Sequence, residues 1–96
     1  MQIKIDIDLF DANILLVNSK THVVKYVNAY AVKNESNFSD VKGKKVDAIF
    51  NSEIQNQEYL KSFKTIFKET SYEVFKNKLS SSGDYALLFL NTSQDV

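Results

Sequence analysis

Ile14-Leu15-Leu16-Val17, then Asn18-Ser19-Lys20-Thr21, then His22-Val23-Val24-Lys25-Tyr26-Val27-Asn28: an unbroken apolar run, a polar turn and a β-branched return. An apolar run this short suits a strand covered on both faces, and Val and Tyr favour the extended backbone of its partner. The polar tetrapeptide between them is a turn, so the segment predicts a β-hairpin.

Upstream, Ile3, Ile5, Ile7 and Leu9 alternate with Lys4, Asp6 and Asp8. That period of two predicts a further strand over residues 1–9 with one buried face. It contains no apolar h-region of the kind a signal peptide needs. Downstream the period changes. Residues 29–33 suit a short helix with Asn28 as its cap, residues 34–42 read as a loop with a helical turn carrying Phe38 and Val41, and Gly43 marks a turn. Residues 44–50 read as a second short helix that turns Val46, Ile49 and Phe50 inward.

Ser52 and Gln55 have the spacing of a capping box. Beyond them Tyr59, Leu60, Phe63, Ile66 and Phe67 recur every three or four residues, with Lys61, Lys64 and Lys68 on the other side, which predicts one long amphipathic helix. Residues 72–79 and 84–92, joined by Ser80-Ser81-Ser82-Gly83, predict a second hairpin. Strand pairs at both ends with helices between them predict an α+β domain: an antiparallel sheet with the helices gathered on one face. The two apolar runs, 14–17 and 85–90, should be its adjacent central strands.

Composition prunes the chemistry. The chain has 96 residues, zero formal net charge and no cysteine, tryptophan or proline, and its twelve basic residues are all lysine. No thiol nucleophile, disulfide, cysteine-ligated metal or thiol-linked chromophore is available. Without arginine there is no bidentate grip on phosphate, although an AT-rich codon bias also accounts for that absence. Zero net charge gives no general attraction to nucleic acid or to anionic membrane. The longest clean apolar run, residues 85–90, is far short of the ~20 residues that span a bilayer. The expectation is a cytoplasmic domain with no direct membrane contact.

The order of elements, together with Val27-Asn28-Ala29-Tyr30-Ala31 at the first helix and Val41-Lys42-Gly43-Lys44-Lys45-Val46-Asp47-Ala48-Ile49-Phe50 at the second, resembles the PAS sensory domain over residues 10–96. The resemblance implies a five-stranded antiparallel sheet, short helices and one long helix on one face. It also implies a non-catalytic sensory or dimerisation role in a bacterial signalling protein. Two departures stand out. The family has three strands after the long helix, whereas only two are legible here. The family's Asp-Ile-Thr exit is replaced by Asn91-Thr92-Ser93, and asparagine lacks the charge of the carboxylate.

The strand over residues 1–9 would restore the count, either at a free edge of its own sheet or exchanged into a second chain. Residues 10–13 span at most ~14 Å, and three strand spacings are also ~14 Å. A homodimer through the sheet edge or the N-terminal strand is therefore an expected partner arrangement.

Because PAS-like folds carry many ligands, function rests on the interior. Tyr30, Phe38, Ile49, Phe63 and Phe67 are the candidate lining of a space between sheet and helices. Either these side chains fill the core, or they surround a small organic ligand whose identity, like that of any cofactor, the sequence leaves unknown. His22 is read as an exposed hairpin residue. Asp6, Asp8 and Asp11 are read as a solvated face, not a cation site, and no metal site or catalytic residue is assigned. The rival from another class is a small cavity enzyme of isomerase or hydratase type, which would need Asp47 or Glu73 buried in the pocket. A ligand-free protein-interaction domain is the third reading.

Overall fold

The computed structural model describes residues 7–34, 36–50, 54, 58–79 and 83–92. Five strands form one antiparallel sheet: β1 (Asn13–Asn18), β2 (Val24–Val27), β3 (Ser62–Phe67), β4 (Thr70–Lys78) and β5 (Asp84–Asn91), in the order β2-β1-β5-β4-β3. Two short helices, α1 (Ala29–Asn34) and α2 (Val46–Ile49), and 3₁₀ turns at Ile7–Leu9 and Ser36–Phe38 complete the described elements. The α+β class and the first hairpin are as the sequence predicts. The two apolar runs pair directly, Leu15 with Leu87 and Val17 with Tyr85, so the last strand closes onto the first.

The long helix predicted over residues 52–68 is not what forms. Residues 62–67 are strand β3, and among the described residues no helix is longer than six. Helical periodicity would bury Leu60 and Ile66, yet Leu60 is 86% and Ile66 69% exposed. The period that wins is two: Phe63, Thr65 and Phe67 turn inward while Ser62, Lys64 and Ile66 turn outward. The cause is the turn that follows. Phe67 pairs with Thr70 across only Lys68 and Glu69, both in the left-handed region (φ 49° and 67°), a two-residue hairpin turn of type I′. Once that turn forms, β3 pairs with β4 through all six of its residues. The capping-box residues Ser52 and Gln55 and the serines at 80–82 lie outside the described residues.

β3 supplies the fifth strand, so the strand predicted over residues 1–9 is not needed for the count. Residues 1–6 lie outside the described residues, and Ile7–Leu9 form a 3₁₀ turn, not strand. That turn is fastened at the start of α1. The Asp8 carboxylate accepts hydrogen bonds from the Ala29 N–H (2.6 Å) and the Tyr26 hydroxyl, and these hold its pKa below the usual carboxylate range, Tyr26 contributing most.

Asn28 does more than cap α1. Its side chain is fully buried, and Oδ1 accepts from the N–H groups of Ile14 (3.0 Å) and Ala31 (3.3 Å). Nδ2 donates to the carbonyls of Ala12 (2.7 Å) and Ile7 (3.0 Å). One amide therefore ties the entry of β1, the N-terminal turn and the helix start together, with each polar atom satisfied.

The core lies between the inner sheet face and the helices. Leu15, Val17, Phe67, Tyr72, Val74, Tyr85, Leu87 and Phe89 meet Ala31, Phe38, Val41, Val46, Phe50 and Ile54. Gly43 (φ 86°) makes the turn that brings α2 over the sheet, a conformation with little steric penalty only for glycine.

Candidate functional site

The predicted interior lining separates into three groups. Phe38 and Phe67 are buried side by side, with ring centres 5.8 Å apart. Ile49 and Phe63 pack partly buried against the same core. Tyr30 does not join them. It sits half-buried on α1, beside an open depression of about 430 Å³ that Asp11, Asn13, Asn34 and Asn91 share.

Where a ligand would be expected, aromatic rings pack on one another. Phe38 lies 5.1 Å from Phe89 and 5.5 Å from Tyr72, and Phe50 lies 4.6 Å from Phe67 and 4.9 Å from Phe89. Edge-to-face and tilted pairs at these separations are the favoured geometry of a solid aromatic core. The Tyr72 hydroxyl reaches the core margin and accepts from Asn37 Nδ2 at 3.2 Å.

A second cluster lies at the other end of the inner face, and no sequence motif announces it. Lys76 occupies the inward parity of β4 after Tyr72 and Val74 and is only 2% exposed. Its ammonium stands 4.7 Å from the Tyr85 ring centre and 4.9 Å from that of Tyr59, and donates to the Ile54 carbonyl at 3.0 Å. Burial pulls the Lys76 pKa below the usual lysine range, and the charge of Asp47 on α2 works against that shift.

Tyr85 is held from its other end. Its hydroxyl and His22 Nδ1 share a hydrogen bond of 2.9 Å. Burial first, then the negative charge of Asp47 and the neighbouring Tyr59, push the Tyr85 phenol well above its ordinary pKa. His22 is thus a half-buried partner of the last strand and not the exposed hairpin residue expected of it. Its backbone adopts φ 58°, and its carbonyl accepts the Val46 N–H at the start of α2. The only advance signal was Lys76 at the i+4 position of an inward-facing row. The partner of His22, 63 positions away, left no local trace.

The two carboxylates proposed for an enzyme are separated. Asp47 is half-buried near Lys76, whereas Glu73 lies on the opposite face of the sheet and accepts from the Ser62 hydroxyl at 2.8 Å. Among the described residues no three His, Asp or Glu side chains gather as a metal site.

The outer sheet face carries the remaining feature. Ile14, Leu88 and Phe75 stand in register across β1, β5 and β4. Tyr26, Leu16 and Ala86 form the row on one side. Leu90, Glu73 and Lys64 form the row on the other. Ile14 is buried apart from the core cluster, Leu16, Phe75 and Leu88 are half-buried, and Leu90 and Ile66 are exposed. Neither a protein-family model nor a curated protein matches the chain. Among the described residues no helix is long and apolar enough to cross a membrane.

Proposed function

We propose that the chain is a non-catalytic, cytoplasmic PAS-like sensory or dimerisation module of a bacterial signalling protein, and that it acts by self-association. The observation that carries this reading is the apolar row Ile14–Leu88–Phe75 on the sheet face opposite α1 and α2. Leu88 and Phe75 of that row are half-buried and Leu90 beside them is exposed, so the described residues leave apolar surface over β5 and β4 of the kind that marks an interaction site. The second copy of the chain is the occupant the charges favour. Lys64 and Glu73 stand opposite each other at the margin of the row, so a two-fold axis there sets each lysine against the partner's acid.

The resemblance gains support from three strands after the second short helix, from Asn28 at the start of α1 and from the turn at Gly43 before α2. The packed rings around Phe38 favour association over ligand capture as the event transmitted. Signalling is then a population shift, in which the associated state selects one arrangement of the sheet. The test is the oligomeric state of the full chain in solution, with and without a charge placed in the row at Leu88.

A further inference from the structure

Asn13 opens β1 on the inward side, in the parity of Leu15 and Val17, and is only 5% exposed. Its Nδ2 donates to the carbonyl of Phe89, its partner across the β1–β5 pair, at 3.2 Å. Its Oδ1 is buried and accepts from no donor among the described residues. Turning the amide over gives no remedy, because Oδ1 would then face the Phe89 carbonyl. Buried polar atoms are nearly always paired, and an acceptor shut in without a donor is costly.

Asn13 is also part of the lining of the open depression of about 430 Å³ beside α1. Other polar groups there share its need for a donor. Asn34 gives its Nδ2 to the Tyr30 carbonyl (3.0 Å), and its Oδ1 receives no bond among the described residues. The exposed Asp11 carboxylate has neither hydrogen bond nor ion pair among them. Asp11 is the one charged residue in the lining, and Phe89 and Leu90 supply an apolar side. Lys33 stands at the adjoining depression, where Asp8 and Asp11 set two carboxylates against it. The charge around the site is negative on balance.

We propose that this depression binds a small alkylamine by its primary ammonium. Three N–H donors and one positive charge match Asn13 Oδ1, Asn34 Oδ1 and the Asp11 carboxylate. The alkyl chain lies against Leu90, which is 42% exposed. The volume is that of a small-molecule site. An anion is disfavoured, because Asp11 repels it and no lysine lines the depression. A calcium ion is disfavoured too, since it takes about six to eight oxygens with several carboxylates among them, and here there is one. The site borders the packed core only at Phe89 and the outer-face rows only at Leu90.

The probe is n-butylammonium chloride, titrated into the nitrogen-15-labelled full chain and followed by amide chemical shifts. N,N,N-trimethylbutylammonium, sodium butyrate and calcium chloride are run beside it at matched ionic strength. n-Butylammonium should shift the amides of Asn13, Asn34 and Phe89 to saturation, the Asn13 side-chain amide included. The trimethyl compound keeps the charge but has no N–H donor, and should bind about tenfold more weakly. Butyrate should give no saturable shift. Asp11→Asn alters an exposed side chain with no bond among the described residues, and should weaken n-butylammonium about tenfold. The comparison of compounds on the native chain does not depend on how that variant folds. The proposal is overturned if n-butylammonium gives no saturable shift, so that water alone meets Asn13. Equal binding of the trimethyl compound, unchanged affinity in folded Asp11→Asn, or tighter binding of calcium at the same amides would overturn it as well.

Discussion

The Lys76 ammonium lies 4.7 Å from the centre of the Tyr85 ring, while the Tyr85 hydroxyl bonds His22 at 2.9 Å. One tyrosine thus joins a buried cation on β4 to the turn between β1 and β2. A cation over an aromatic face contributes most when it is desolvated, as Lys76 is here. The Lys76 side chain also holds the Ile54 carbonyl, and its backbone carbonyl accepts the Leu60 N–H at 2.8 Å.

Tyr85 gives the fold an alkaline dependence. Its folded pKa is raised above the ordinary tyrosine value of 10.0, so its contribution to stability is complete below pH 10 and is lost as pH rises further. Lys76 works in the opposite sense. Its folded pKa is lowered from 10.5, so its contribution grows as pH rises toward 10.5. Tyr85→Phe should therefore lose less stability than the native chain between pH 10 and 11.5, read as melting temperature against pH. Parallel curves for the two proteins would contradict this.

Asn28 is the side chain on which the N-terminal third depends. Asn28→Ala leaves the Ile14 N–H and the Ala12 carbonyl without their partner and should cost about 2–4 kcal/mol in urea unfolding. Asn28→Asp should not restore stability, because it sets a carboxylate oxygen against the carbonyls of Ala12 and Ile7.

The Lys68-Glu69 turn carries left-handed backbone at two residues with side chains. Glu69→Gly relieves one of them and should raise stability by about 1 kcal/mol. Lys68→Gly should gain less, since Lys68 Nζ also donates to Asp40 (2.9 Å) and to the Asn37 carbonyl (3.1 Å). Paired chemical denaturation curves make the comparison.

This same turn marks the limit of what could be read from sequence. The first hairpin, the pairing of the two apolar runs and the cap at Asn28 were legible because their signals are local or strongly apolar. β3 was not. Tyr59, Leu60, Phe63, Ile66 and Phe67 match a helical face over a span short enough to fit either period, and the turn that decides for strand contains neither glycine nor asparagine. Phe38 and Phe67 were legible as interior residues, whereas Tyr30 lies half-buried on α1 beside the depression at Asp11 and Asn91. The Lys76–Tyr85–His22 cluster joins residues distant in sequence, which no local pattern encodes.

Phe38 tests the packed interior. Its ring meets Phe67, Tyr72 and Phe89 within 5.8 Å, and Phe38→Ala should cost about 3–5 kcal/mol and open a cavity. The native chain should show no shift in melting temperature with benzene, whereas Phe38→Ala should be stabilised by it. A benzene-induced shift in the native chain would mean that a cavity was already present.

Self-association through the outer face is tested most directly by sedimentation equilibrium of the full chain beside Leu88→Lys, with circular dichroism to verify that both are folded. The native chain should form a concentration-dependent dimer, and Leu88→Lys, with a charge set between Ile14 and Phe75, should remain monomeric at the same concentrations. A native chain that stays monomeric, or a folded Leu88→Lys variant that dimerises as strongly, would contradict it.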